Sequence, residues 1–342
     1  MSEKKHIEIL TTFKLTETQA SRIREVSKLI RLTVLPVKEA SEIPADAWEK
    51  AEVIFTGSKV LPQLSQVPKL RWIAFNFAGV EHALSQEVVH QERILATTSS
   101  GVIVSQIGEY VLMALLSVGH KLPQMMKLQH ETIWPDDGMK SLMPLELRDS
   151  TVGIVGYGSI GREVARLLRP FGATILAAKK NAMQPQDTGY VQEGLGDPQG
   201  DLFHRLYPIE ALKDMLKECD YVVVTLPLTD ETKHLFNAEM FEVMKESAYL
   251  VNVGRGLVID EPAMIAALQE GKFAGAVLDV FEEEPLPKDS PLWSMPNVII
   301  SPHVSAASTH LMDNIVGLFV ENLQRYIEGQ ALFNVLDVEK GY

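Results

Sequence analysis

The sequence has a single cysteine, Cys219, among its 342 residues. One thiol cannot form an internal disulfide, which suits the reducing cytosol, and we expect a cytoplasmic protein. Cys219 stands just before an apolar run and is predicted to be a buried structural thiol. No apolar run approaches the ~18 residues that span a bilayer, and no apolar signal core follows the charged first residues. We therefore expect neither a membrane partner nor a secretory signal.

Basic residues are also scarce, because 32 lysines and arginines stand against 45 aspartates and glutamates, for a net charge of −13. Nucleic acid is therefore not expected as a partner, since phosphate binding needs a basic face. A small anionic substrate is compatible with this charge, since it needs only one well-placed cation. Apolar residues make up 46% of the sequence, and the length allows two domains with separate cores.

The most informative segment is 151–161, in which an apolar run leads directly into Gly156, Gly158 and Gly161. An amphipathic segment follows, so the order predicts a buried strand, a tight turn and the start of a helix. Glycines at this spacing let backbone N–H groups approach a pyrophosphate at the positive end of the helix dipole. The motif predicts dinucleotide binding. The intervening residues predicted to contact the dinucleotide are Tyr157, Ser159 and Ile160.

Short apolar runs alternate with amphipathic segments on both sides of this motif. The alternation predicts an α/β protein whose parallel sheets carry helices on both faces. Thr16 and Gln19 have the spacing of a helix capping box. The predicted strands are 6–10, 32–35, 53–56, 71–75, 173–178, 221–226, 248–253, 274–280 and 297–301, the predicted helices are 16–30, 105–121 and 308–328, and residues 181–207 are predicted to form a long surface loop.

Residues 123–149 show no regular spacing of apolar residues and are predicted to form an arm or an irregular loop. The preceding helix is expected to stop near Pro123. Trp134 lies within this segment, and an exposed tryptophan is unfavourable in a monomer. It is therefore predicted to lie either in the core or against a second subunit.

Three later segments each place a polar side chain just after an apolar run. Arg255 lies in a Gly-Arg-Gly sequence, Glu284 belongs to an acidic run, and His303 follows a proline. Ligands bind at the carboxyl ends of the strands in open α/β sheets. Singly, each side chain could be a surface or core residue, but together they predict one active site.

Taken in order, these motifs resemble those of the D-isomer-specific 2-hydroxyacid dehydrogenase family. The resemblance is dense from residue 151 to about residue 307, and before that it is carried by strand-helix rhythm and by residues 77–80. It implies two doubly wound parallel-sheet domains, with a Rossmann cofactor domain inserted into a flavodoxin-like substrate domain. It also implies a homodimer joined through the cofactor domains. The expected bounds are 1–101 and 307–342 for the substrate domain, 102–306 for the cofactor domain, and 123–149 for a candidate dimer arm.

The resemblance also implies a role for each polar side chain. Arg255 would hold the carboxylate and carbonyl of a small 2-keto or 2-hydroxy acid, because a planar guanidinium suits a carboxylate. His303 would be the general acid and base, with Glu284 as the carboxylate that stabilises its charged form. The neighbouring Glu282 and Glu283 are expected to be solvated surface charges.

Further contacts to substrate and cofactor follow from the same resemblance. The backbone N–H groups of Ala78 and Gly79 would bind the substrate carboxylate, and Asp279 would lie near the nicotinamide amide. No metal is implied. The remaining implied cofactor contacts are Leu226, Pro227, Val253 and Gly254, together with Arg255 and His303.

The choice between NAD(H) and NADP(H) is expected to depend on the end of the second strand of the cofactor domain. NAD sites usually place an acid there, on the ribose hydroxyls. Here Lys179 stands at that position, Lys180 follows it, and the next acid is Asp187. Two ammonium groups can neutralise a 2′-phosphate, so NADP(H) is favoured. The alternative is that both lysines are solvated and NAD(H) binds without the usual acid.

The leading hypothesis is a D-2-hydroxyacid dehydrogenase that works as a reductase of glyoxylate, hydroxypyruvate or a larger 2-keto acid. Phosphoglycerate and phosphite dehydrogenases are related alternatives. A formate-dehydrogenase-like role is disfavoured, because that group has glutamine where Glu284 stands. An alternative of another class is a nucleotide-sensing corepressor on the same fold, whose relatives keep the same arginine, glutamate and histidine.

Overall fold

The computed structural model describes residues 6–57, 59–136 and 140–341. Contacts within the chain divide it into two units. Unit 1 comprises the described residues of Met1–Val102 and Ser308–Tyr342, and unit 2 comprises those of Ile103–Ala307. The second unit is thus inserted into the first along the sequence.

Strands and helices alternate through both units. The strands are β1 (Ile7–Thr11), β2 (Ile30–Val34), β3 (Val53–Thr56), β4 (Trp72–Phe75), β5 (Leu95–Thr97), β6 (Thr151–Val155), β7 (Thr174–Lys179), β8 (Arg205–Pro208), β9 (Tyr221–Val224), β10 (Tyr249–Asn252), β11 (Gly275–Leu278) and β12 (Val298–Ile300). The helices are α1 (Glu17–Glu25), α2 (Ala45–Lys50), α3 (Val104–Gly119), α4 (Leu122–His130), α5 (Ser159–Leu168), α6 (Leu212–Leu216), α7 (Ala238–Glu242), α8 (Glu261–Gln269) and α9 (Leu311–Glu328).

Unit 1 contains a five-stranded sheet in the order β2-β1-β3-β4-β5, and its strand pairs are parallel. This is the doubly wound order of flavodoxin-like folds. The C-terminal helix α9 packs on this sheet through Phe319, whose ring centroid lies 4.0 Å from that of Phe55 and 5.1 Å from that of Trp72. The aromatic stack therefore joins the last helix to the first hundred residues.

Unit 2 contains a seven-stranded sheet in the order β12-β11-β10-β9-β6-β7-β8, again with parallel pairs. The order reverses between β6 and β9, which is the Rossmann switch point where ligands bind at the carboxyl ends of the strands. Apolar clusters cover both faces of the sheet. The predicted fold class is confirmed, because both sheets are parallel and carry flanking helices.

Several local predictions agree with the structure. The predicted strand 53–56 coincides with β3, and Thr16 and Gln19 form the predicted capping box at the start of α1. Cys219 is fully buried and its Sγ lies 3.1 Å from the Met215 carbonyl oxygen. Burial raises the pKa of this thiol to about 12. Within the described residues, no helix is long and apolar enough to cross a membrane.

The predicted arm contains an unexpected helix. Residues 122–130 form α4, so the prediction of an irregular segment is wrong there. The break is at Lys121, whose φ is +56°, and Pro123 lies in the first turn of the new helix, where proline is favoured. Trp134 is 91% exposed, so the prediction of a core position is wrong as well. Residues 137–139 of the predicted arm lie outside the described residues.

Most residues of the predicted surface loop 181–207 are exposed or half-buried, but the loop is anchored to α5 and its end forms β8. Arg162 of α5 is buried and donates from Nη1 to the Asp197 carbonyl at 2.6 Å and from Nη2 to the Pro185 carbonyl at 2.5 Å. Glu163 accepts the Gly196 N–H at 2.7 Å. The prediction of a surface loop therefore agrees with the structure over most of the segment, whereas β8 and the anchoring to charged side chains of α5 were not predicted.

Candidate active site

The glycine motif forms the turn between β6 and α5. Gly156 has a φ of +105°, and a Cβ on Gly161 would lie 2.3 Å from the Gly156 carbonyl oxygen. These two positions therefore exclude side chains for reasons of the fold. A Cβ on Gly158 would meet nothing within 4 Å, so the space over this residue is open. Gly158 caps α5, whose first N–H groups lack intrahelical partners, and the turn fits a dinucleotide phosphate.

Tyr157 contributes shape to this turn rather than hydrogen-bond donors. Its N–H donates to the Ala178 carbonyl at 3.1 Å, and its hydroxyl donates to Asp197 Oδ2 at 2.7 Å. Burial and the hydrogen bond to Asp197 raise the pKa of this phenol. Both hydrogen-bond donors of Tyr157 are therefore engaged within the protein. Ser159 and Ile160 are half-buried in the first turn of α5.

The two lysines predicted to choose the cofactor have different surroundings. Lys179 is the last residue of β7 and donates from Nζ to the Gln184 carbonyl at 2.7 Å. Burial and the charge of Arg162 lower the pKa of Lys179. Lys180 is more exposed, and its Nζ lies 2.5 Å from Glu231 Oε2. The two lysines predicted to face a 2′-phosphate therefore differ, because Lys180 is paired with a carboxylate whereas Lys179 donates to a carbonyl.

Arg255 lies in a turn that follows β10. Asn252 shapes this turn, because its Oδ1 accepts the Gly254 N–H and its Nδ2 donates to the Arg255 carbonyl, both at 3.1 Å. A Cβ on Gly254 would lie 2.7 Å from the Leu226 carbonyl oxygen, so this turn packs on the segment after β9. That segment contains Pro227. The role of Asn252 was missed, although a polar residue closing an apolar strand before Gly-Arg-Gly was a visible signal.

His303 and Glu284 come together as the sequence predicts. His303 Nδ1 lies 2.8 Å from Glu284 Oε2, and Glu284 Oε1 accepts the Phe281 N–H at 3.1 Å. Both carboxylate oxygens are thereby oriented, and the contact with Glu284 uses Nδ1 of His303. His303 has a φ of +54°, in the left-handed region that residues other than glycine rarely adopt. Such a backbone is maintained only where the surrounding structure holds it.

Asp279 is the group that holds this backbone. It is fully buried, and its carboxylate accepts the Val304 N–H at 2.8 Å, the Ser305 N–H at 2.9 Å and the Ser301 hydroxyl at 2.5 Å. Its carbonyl also accepts the His303 N–H at 2.9 Å. The carboxylate of Asp279 therefore fixes the loop of His303, and the implied position of Asp279 near a nicotinamide amide stays a prediction.

The remaining predicted residues have the expected local positions. Val253 is buried directly after β10. Ala78 and Gly79 follow β4 in unit 1 and are half-buried, and the preceding Phe77 carbonyl accepts the Ser99 N–H at 2.9 Å. Glu282 is not the solvated charge predicted from the acidic run, since its Oε1 accepts the Glu261 N–H at 3.0 Å. Glu283 is exposed, as predicted.

Comparison with known proteins identifies the family. The family profile described as D-isomer specific 2-hydroxyacid dehydrogenase, NAD binding domain, matches residues 112–305. A glyoxylate reductase from Aeropyrum pernix is 32% identical over 283 residues, which cover 81% of this chain and 79% of that protein. The region that matches the family profile includes the glycine motif, Arg255, Glu284 and His303.

Solved structures agree with these matches over nearly the whole chain. A D-isomer specific 2-hydroxyacid dehydrogenase family protein from Aeromonas salmonicida has a TM-score of 0.75 at 33% identity, covering 98% of this chain and 100% of that chain. A D-isomer specific 2-hydroxyacid dehydrogenase from Xanthobacter autotrophicus, in complex with NADPH and MES, has a TM-score of 0.80 at 26% identity, covering 99% and 100%. The chain therefore belongs to the D-isomer specific 2-hydroxyacid dehydrogenase family and is a nicotinamide-dependent oxidoreductase of the CH–OH group of hydroxy acids.

Proposed function

We propose that this protein reduces small 2-keto acids to D-2-hydroxy acids, with NADPH as the preferred hydride donor. The hydrogen-bonded pair of His303 and Glu284, behind a dinucleotide turn, is the observation that carries the proposal. Relatives that are named glyoxylate reductase and glyoxylate/hydroxypyruvate reductase support the substrate class and the direction. Glyoxylate and hydroxypyruvate are accordingly the first substrates to test.

The proposed mechanism uses His303 as the proton donor. When bound, the reduced nicotinamide supplies the hydride. Glu284 holds Nδ1 of His303 at 2.8 Å, stabilises the imidazolium, and leaves Nε2 to donate a proton to the developing alkoxide. Arg255 is the proposed partner of the substrate carboxylate, and the N–H groups of Ala78 and Gly79 are proposed as further donors to it. General acid catalysis of this kind is typically worth about 10²–10⁴-fold.

The proposed preference for NADP(H) depends mainly on Lys179. This lysine ends β7, at the position where NAD sites place an acid, and its half-buried ammonium donates to a carbonyl. Lys180 is the weaker candidate, because Glu231 already pairs with it. The relative from Xanthobacter autotrophicus that is in complex with NADPH supports this choice.

We also propose a cytoplasmic location, because the single cysteine, Cys219, is buried and cannot form an internal disulfide.

We propose further that the protein is a homodimer joined through unit 2. This proposal is supported by large apolar side chains that are exposed around α3, α4 and the segment after α4. A monomer rarely exposes so many apolar side chains in one part of its sequence. These side chains are Met113, Leu122, Met125, Met126, Ile133, Trp134 and Met143.

A substrate panel tests the proposed function. We expect the purified protein to oxidise NADPH in the presence of glyoxylate, hydroxypyruvate or a larger 2-keto acid, to do so more efficiently than with NADH, and to form the D product. The decline of reduced-nicotinamide absorbance gives kcat/KM, and chiral analysis gives the configuration. Binding of NADPH without turnover of any 2-keto acid would contradict the proposal and would favour a nucleotide-sensing protein.

A further inference from the structure

The loop that carries Glu284 is tied to the start of α8 by two other glutamates. Glu282 Oε1 accepts the Glu261 N–H at 3.0 Å, and Glu261 Oε2 accepts the Glu282 N–H at 3.2 Å. Each carboxylate therefore binds the main chain of the other residue. Burial, followed by the charges of Glu282 and Glu283, raises the pKa of Glu261. Two carboxylates are thus held close together although burial and mutual repulsion disfavour their charged forms. Neither belongs to the site assigned to the reaction.

His234 adds a basic group to this glutamate pair. Its Nε2 lies 3.0 Å from Glu282 Oε1, and its N–H donates to the Leu257 carbonyl at 2.8 Å. Its φ is +52°, which is uncommon for a residue other than glycine. An unfavourable backbone of this kind persists where the surroundings impose it and is a reason to look for a function. The imidazole supplies a positive group, when protonated, to the most acidic part of this loop.

The other side of the same loop contacts the turn of Arg255. A Cβ on Gly256 would lie 1.9 Å from the carbonyl carbon and oxygen of Phe281, so the two backbones are in direct contact. The Phe281 N–H in turn donates to Glu284 Oε1. The loop 281–284 is therefore held between the turn of Arg255 and the start of α8, and Glu284 projects from it toward His303.

We propose that Glu261, Glu282 and His234 are positioning residues that fix Glu284 against His303. This inference rests on the function proposed above for His303 and Glu284. None of the three needs to touch substrate: Glu261 binds the loop backbone at the Glu282 N–H, Glu282 ties the loop to the start of α8 at the Glu261 N–H, and His234 lies against the Glu282 carboxylate. Misplacement of a catalytic group by about 1 Å can cost about 10²-fold in rate. The bonds of Glu261 and Glu282 restrict the loop to the position in which Glu284 Oε2 reaches Nδ1.

Variants of adjacent glutamates provide a matched test. Glu282→Ala removes the acceptor for the Glu261 N–H, whereas Glu283→Ala removes the same charge from an exposed neighbour. We expect Glu282→Ala to lower kcat for keto-acid reduction by about 10- to 100-fold, with NADPH affinity unchanged. Glu282→Gln keeps an oxygen acceptor and should recover most of the lost rate. Glu283→Ala should behave as the wild type.

The pH profile separates positioning from mere stability. Reduction requires protonated His303, so activity falls as the pH rises through its titration. In Glu282→Ala this fall should move to lower pH, because the carboxylate of Glu284 is less well held. The titratable groups next to Glu282 are His234, Glu261 and Glu283. The variant Glu283→Ala controls for the loss of one negative charge from this loop. A loss of thermal stability with an unmoved profile would overturn the inference.

A milder variant guards against a failure of Glu282→Ala to fold. His234→Asn tolerates the left-handed backbone but is too short to reach Glu282. We expect a smaller shift of the profile in the same direction, and an unmoved profile would also count against the inference. A wild-type protein that reduces no 2-keto acid refutes the proposed function instead, whereas an active wild type with an unaffected Glu282→Ala refutes only the positioning.

Discussion

For single residues, the sequence indicated which side chains are candidates for a functional role, but it did not indicate which groups hold them in place. Arg255, Glu284 and His303 could be singled out because each follows an apolar run. The left-handed backbone of His303 and the contacts of Asp279 depend on segments that meet only in the fold. The implied position of Asp279 near the nicotinamide amide stays a prediction, whereas the contacts of its carboxylate with the loop of His303 were not predicted.

Lys179 allows the sharpest prediction at this scale. We expect Lys179→Ala to weaken NADPH binding by about 10-fold or more, since hydrogen bonds to charged groups contribute about 1.5–3 kcal/mol. Binding of NADH, which lacks the 2′-phosphate, should barely change. Lys180→Ala should cost less, because Lys180 is already paired with Glu231. Fluorescence titrations give both dissociation constants, and tighter binding of NADH than of NADPH by the wild type would refute the preference.

At the scale of secondary-structure elements, alternation of apolar and amphipathic segments predicted most strands, since buried parallel strands read as apolar runs. Helix α4 and the anchoring of the segment after β7 to α5 were not predicted, because they depend on local or distant groups that leave no hydrophobic periodicity in the sequence. Pro123 starts a helix instead of only ending one, and Arg162 is buried because Asp197 and Pro185 accept from its guanidinium 35 and 23 residues away.

At the scale of the whole molecule, the order of motifs indicated two doubly wound units and the family, whereas assembly was visible only as a hypothesis. Trp134 illustrates the difference. The sequence left open whether it lies in the core or against a second subunit, and its 91% exposure excludes the core. The alternative, a position against a second subunit, is supported by the other large apolar side chains that are exposed in the same region.

The dimer proposal can be tested by changing this tryptophan. We expect a wild-type dimer in sedimentation velocity at micromolar concentration. Trp134→Ser should raise the dimer dissociation constant by about 30-fold or more, as truncation of an interface hot spot costs about 2 kcal/mol or more. Trp293→Ser changes another exposed tryptophan and should leave assembly intact. A wild type that sediments only as a monomer would contradict the proposal.

In the proposed mechanism His303, held by Glu284, gives the proton to the alkoxide that hydride transfer leaves on the substrate. The most direct test is the kcat of His303→Gln for the best 2-keto acid, with His310→Gln as a control at an exposed histidine that has no proposed role. We expect kcat to fall by about 10²-fold or more in His303→Gln alone, with NADPH bound as tightly as by the wild type. Turnover near that of the wild type in His303→Gln would contradict it.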